Sequence, residues 1–117
     1  MLAQMMEFNG PRSAEMLAAA DRAGRDRLGP IMLAHPRMRE ELVALLVLRQ
    51  ADGTERIIMI VHSQEGLQLA RDLVMSSELL PGEDAALLPG PDRVDVFEVV
   101  TVLGSLKEDV VRDGVRS

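Results

Sequence analysis

A chain of 117 residues fits one domain, and 47% hydrophobic with 27% charged residues places it well outside the disordered range. A net charge of −6 excludes the basic face that nucleic acid requires, and two Phe with no Trp or Tyr leave no stacking platform for single strands. There is no cysteine for disulfide or thiol chemistry, no signal-peptide pattern at the N-terminus, and no apolar run approaching the roughly 20 residues that span a bilayer, so a cytoplasmic location without membrane contact is expected.

The first predicted strand is Leu2 to Phe8, stopped by Asn9-Gly10-Pro11. Ser13 then stands as an N-cap with Glu15 in the first turn, where negative charge suits the helix dipole. Met16, Leu17, Ala20, Gly24 and Leu28 form one helical stripe, and Gly29-Pro30 is expected to end it. Ile31 to Glu41 reads as a loop or a broken second turn of helix, because Pro36 pushes His35 out of helical dihedrals. Leu42–Leu48 and Arg56–His62 are apolar on both faces and joined through Asp52-Gly53, a hairpin signal. Ser63 can cap the next helix, where Leu67, Ala70, Leu73 and Val74 lie on one face. Leu79 to Asp92 repeats Leu-Leu-Pro-Gly and forbids a regular element, after which a last strand, rich in Val, is expected over Arg93 to Leu103. The domain is thus expected to span residues 1–104, followed by a charged tail, 105–117.

The order strand, helix, strand, strand, helix, strand is the ferredoxin-like split βαβ arrangement. Right-handed crossovers then give a four-stranded antiparallel sheet of order 4-1-3-2 with both helices on one face. The strands are apolar on the other face too, which exceeds what a soluble monomer leaves open, so a homodimer through the open sheet face is expected.

In this element order, over about residues 2–103, the chain resembles the dimeric α+β-barrel superfamily, which includes antibiotic-biosynthesis-monooxygenase-like and stress-response barrel domains. Ala51-Asp52-Gly53, Ser63-Gln64-Glu65 and Leu87-Leu-Pro-Gly-Pro-Asp-Arg-Val94 also look like small bacterial members of that group. These motifs mark turns and caps, so the resemblance implies a fold, a dimeric α+β barrel, more than an activity. Monooxygenases of the group commonly use a Trp, an Asn and a His around the cavity. This chain has no Trp, and its second helix has no His.

The first and third strands are antiparallel neighbours in this order. Pairing Gln4 with His62 sets Met6 against Ile60 and Phe8 against Ile58, which brings Gln4 and His62 to one end of one face. There a His and an amide could orient a small substrate or shuttle a proton, whereas a His that merely ends a strand is partly solvated. Glu98, mid-strand among valines, is either a carboxylate with a raised pKa at a site or a solvated guard on an edge strand. Met6, Met59 and Phe97 would line an enclosed face, and His35 falls where a lid over a barrel mouth would sit. Arg49 and Arg56 flank the hairpin, either solvated or facing an anion. Two His without Cys make no metal cluster, no glycine-rich phosphate loop is present, and no cofactor is implied.

Two functions follow from different classes. The first is a binding or interaction module, a homodimer whose barrel holds a small apolar molecule or nothing. The alternative is a cofactor-free, monooxygenase-like enzyme on a small organic substrate, with His62, Gln4 and Glu98 around the cavity. The scarcity of polar groups on the strands favours the first.

Overall fold

The computed structural model describes residues 1–104; the expected tail, 105–117, lies outside the described residues. The elements are β1 (Leu2–Glu7), α1 (Ala14–Ala23), α2 (Gly29–Ala34), α3 (Pro36–Glu41), β2 (Leu42–Arg49), β3 (Glu55–Val61), α4 (Gln64–Ser76) and β4 (Arg93–Glu98). The sheet order is β2-β3-β1-β4 with every pairing antiparallel. This is the ferredoxin-like α+β fold, as the element order implies.

One face of the sheet is closed by helices. Met59 and Val61 of β3 pack with Met32 of α2, Met38 of α3, and Leu67 and Ala70 of α4. Three of these six core side chains are Met, whose unbranched stems fill the irregular space under several short helices.

The helical layer departs from expectation at Gly29-Pro30, which does not end the first helix. A wide turn over Gly24–Leu28 carries it into α2, with the Gly29 N–H donating to the Gly24 carbonyl oxygen five residues back. Such a turn loosens the ladder where Pro30 has no N–H to give. It also explains Gly29 itself, since a Cβ there would stand 2.7 Å from the Gly24 oxygen. Of the two readings of Ile31 to Glu41, the broken helix is the one found. His35 breaks it with extended backbone (ψ 117°), and its Nδ1 accepts from the Met38 N–H at 3.3 Å to cap α3.

The register of β1 against β3 also differs from expectation: Gln4 lies opposite Met59, not His62. Met6 accordingly faces Ile57, and Phe8 follows the end of β1. The observed register puts Leu2 beside Val61 in the helix-facing core and sets Glu7 against Arg56, whose Nε lies 3.0 Å from the Glu7 carboxylate. A slip by an odd number of residues exchanges faces, which is why burial decides it so firmly. β4 ends at Glu98 and not at Leu103. The Val99 N–H still donates to the Met1 carbonyl oxygen, but β1 offers no strand residue beyond Leu2 to pair with the rest of the run.

The β2–β3 hairpin is pinned to α1 by charge. Glu55 is 1% exposed, and its carboxylate accepts from Arg12 Nη1 at 2.8 Å and from Arg49 Nε at 2.8 Å. Arg12 lies over the Phe8 ring, 4.1 Å from its centre, and its backbone N–H donates to the Gly53 carbonyl oxygen. Arg49 continues to Asp21 of α1 at 2.7 Å. Asp21 first, then Glu55, raise the Arg49 pKa further, so the guanidinium stays charged. Gly53 is required at the turn: its φ is +99°, and a Cβ would press on the Arg12 oxygen at 2.7 Å. Removing one partner of a buried pair strands the other charge, at a cost of about 3–5 kcal/mol. Glu55→Ala is therefore expected to lower the unfolding free energy by about that amount in urea titration, whereas a loss comparable to an exposed surface substitution would refute the fastening role.

Candidate functional site

The second face of the sheet is the best candidate for a functional surface. Side chains alternate along each strand, so the register assigns this face without ambiguity. Across the sheet from β2 to β4, one row is Leu48, Arg56, Glu7 and Arg93. The next is Leu46, Ile58, Met5 and Asp95, and the third is Ala44, Ile60, Ala3 and Phe97. A bulge at Val43 brings that side chain to the same side, where Val43, Ala44 and Ile60 form a cluster with Ala3, Ile58 and Val99 packed against it. Among the described residues no helix contributes to this cluster. Val43, Ala44 and Ile60 are themselves buried in the single chain, whereas Phe97 is 53% exposed and Leu48 46%.

The face is therefore divided along the strands. The end near the hairpin is charged and self-neutralising: Arg56 pairs with Glu7 at 3.0 Å, and Arg93 pairs with Asp95 at 2.7 Å and reaches Glu7 at 3.8 Å. The opposite end is aliphatic except for Phe97. Hydrogen-bonding side chains are confined to that charged end, so the face offers shape and apolar area and little to orient a substrate.

The residues singled out from the sequence do not converge. Gln4, Met6 and Met59 lie on the helix-facing side, Met59 in the core itself. Glu98 is exposed at the end of β4, opposite Leu2, on that same side. His62 is exposed just beyond β3, where its N–H donates to the Glu41 carbonyl oxygen. His35 caps α3 at the break in the helix, and only Phe97 belongs to the open face. Arg49 and Arg56 each have acidic partners, Arg49 on the helix side and Arg56 on the open face.

Two buried carboxylates, Glu41 and Glu83, lie outside the residues singled out from the sequence. Glu41 ends α3 beneath the start of α4, accepting from the Ser63 N–H and hydroxyl at 3.0 Å each. Ser63 is the N-cap of α4, yet its hydroxyl is turned to Glu41 and makes no bond to its own helix. Gly66 is required there, because a Cβ would overlap the Glu41 carboxylate. Glu83 holds the long Ser77–Asp92 connection, accepting from Arg27 Nε at 2.8 Å and from the Leu80 N–H at 2.7 Å. The connection also receives Arg22, which donates to the Pro81 carbonyl oxygen at 2.6 Å. A shallow pocket between α1 and this connection is lined by Ala18, Ala19, Arg22, Gly82, Leu87 and Leu88. Among the described residues no group of His, Cys, Asp or Glu is arranged to hold a metal ion, and no helix is long and apolar enough to cross a membrane.

Neither a protein-family model nor a curated protein matches the chain. Among solved structures it is similar to a dimeric ferredoxin-like protein from an uncultured marine organism, at 15% identity and a TM-score of 0.49, over 89% of this chain and 90% of that one.

The Arg27 guanidinium, and after it the Leu80 N–H, hold the Glu83 carboxyl below its ordinary value of 4.5. A carboxyl depressed on folding contributes stability that is complete above the ordinary value and is lost as pH falls through the folded one. The urea midpoint of the natural chain is accordingly expected to fall more steeply on acidification below about pH 5 than that of Glu83→Gln. Parallel curves for the two would show that the pair adds nothing to folding.

Proposed function

We propose that the protein acts as a homodimer formed through its open sheet faces, an interaction module whose two sheets enclose an apolar interior with room for a small apolar molecule or none. The observation that carries this reading is the apolar area left open around the buried Val43, Ala44 and Ile60: exposed Leu48 and Phe97 and half-buried Leu46, Ile58 and Met5, none of them under a helix among the described residues. Burying apolar area of this kind at roughly 25 cal/mol per Å2 is a strong drive for association, and a second copy supplies a surface of matching chemistry. An oxygenase-like activity has less to support it, since His62, Gln4 and Glu98 stand in three different surroundings.

Light scattering at micromolar concentration is expected to return about twice the chain mass of 12.8 kDa. Ile58→Lys, which places a charge at the centre of the face, is expected to give the single-chain mass with unchanged far-UV circular dichroism. A single-chain mass for the natural sequence would remove the proposal.

A further inference from the structure

The two edges of the sheet are defended unequally. β4 is short and carries Arg93, Asp95 and Glu98, charges that discourage pairing with a further strand. β2 is an edge strand too, yet Leu42 to Leu48 are seven apolar residues in succession with no charge among them. Such an edge sets unpaired N–H and C=O groups beside apolar side chains, a template for another strand.

The hairpin determines which backbone groups are free. The Gln50 N–H donates to the Thr54 carbonyl oxygen, and bonded and non-bonded pairs alternate from there along the ladder. Leu48, Leu46 and Ala44 therefore bond to β3, while Leu45 and Val47 turn their N–H and C=O groups outward. Among the described residues no other backbone group bonds to them. Their side chains point to the helix-facing side, but the helical core is gathered over β3, and they stay 38% and 51% exposed. Leu45 and Val47 are thus open in both backbone and side chain.

We propose that β2 pairs edge to edge with β2 of a second copy, antiparallel about a two-fold axis at Leu46, so that two sheets become one of eight strands. An axis normal to the sheet keeps the helices of both copies on one side, and only residues of like parity then oppose each other. Centred on Leu46, it sets Leu45 opposite the partner's Val47 and Val47 opposite the partner's Leu45. Both residues bond outward, so each pair exchanges two backbone hydrogen bonds and lays one exposed side chain against another. Moving the axis to Val47 would set Leu45 against the partner's Arg49, a guanidinium already committed to Asp21 and Glu55. Moving it to Leu45 would carry Val47 onto the partner's bulge at Val43, where the regular ladder ends. The charge-free run is self-complementary in one register.

This edge is a different surface from the open face, so the inference goes beyond the homodimer of faces and does not depend on it. The paired stretch is only about five residues a side, short of the roughly 1,200 Å2 buried in stable specific interfaces, so the contact is weak and reversible. Light scattering of the natural chain is therefore expected to show the two-chain mass rising toward four only above about 100 micromolar.

The chain contains no cysteine, so introduced thiols report only the designed contact. Leu45→Cys and Val47→Cys chains, mixed at about 200 micromolar and treated with a short bismaleimide, are expected to give a two-chain product as the main species. Leu45 and Val47 point away from the open face, so pairing of the faces cannot produce that result. Val94→Cys and Val96→Cys chains, equally exposed but on the guarded β4 edge, are expected to give little. Val47→Lys is expected to keep the far-UV circular dichroism and to abolish the rise in mass on concentration. Ile58→Lys, which acts on the open face, is expected to leave a rise from one chain mass to two. Cross-linking no greater from β2 than from β4, no rise in mass, or a rise that Val47→Lys does not change would each overturn edge pairing. The strand would then be left to residues 105–117 or to an extended segment of another protein. None of these results bears on the homodimer of faces, which Ile58→Lys tests separately at micromolar concentration.

Discussion

Everything in this fold depends on a sheet whose strands are apolar on both sides. β2 and β3 contain eleven aliphatic residues in runs that a half-solvated sheet would have interrupted with polar ones. The crossover helices can be placed on one face only, and there the core closes around Met59 and Val61. The other face receives no helix from the described chain. Its aliphatic content is thus neither an accident of composition nor a stability requirement of the helix-facing core, which is complete without it.

The helix layer is assembled from short pieces, and buried charge positions them. Glu55 joins the hairpin to the start of α1 through Arg12 and to its far side through Arg49 and Asp21. Glu41 joins α3 to the first turn of α4 through Ser63. Glu83 joins the long connection to the wide turn after α1 through Arg27. In each case one carboxylate accepts from donors on elements distant in sequence, leaving no buried polar side-chain atom unpartnered among the described residues. Aliphatic packing alone would let short helices slide over Met-rich surface. Ion pairs of fixed geometry set where they stop.

Element order, the Asp52-Gly53 hairpin, the cap at Ser13 and the sheet order were legible in the sequence, because each rests on local chemistry or on the handedness of crossovers; Ser63 holds the N-cap position, but its hydroxyl serves Glu41 instead. Register was not legible. Gln4 opposite His62 and Gln4 opposite Met59 differ by three positions, and nothing local to either strand distinguishes them. The deciding facts are long-range: Val61 reaching the helical core and Glu7 meeting Arg56. The continuation of the first helix through Gly29-Pro30 was hidden for a related reason, since Gly-Pro reads as a stop unless the turn before it is known to be wide. The burial of charge at Arg12, Arg27, Glu41 and Glu83 was not legible either, because a charged residue in the sequence does not show which partner will cover it. The candidate site shared the fate of the register, so His62, Gln4 and Glu98 separated once the strands were aligned.

The composition of the open face bears on what kind of association it can support. Interfaces usually gain specificity from Trp, Tyr and Arg at their centres, with aliphatic area around them. Here the centre is Ile58, Met5, Ile60 and Ala3, with one aromatic at the β4 edge and arginines only at one end. Aliphatic side chains adhere to any apolar surface, so the middle of the face supplies affinity without direction. Direction must come from the features that are unevenly distributed: the Arg56–Glu7 row at one end and the exposed Phe97 at the other. All of these vary along the strands or across them, and none is symmetric about the centre of the sheet. A face built this way offers apolar area and shape, and too few hydrogen-bonding groups to distinguish one small molecule from another.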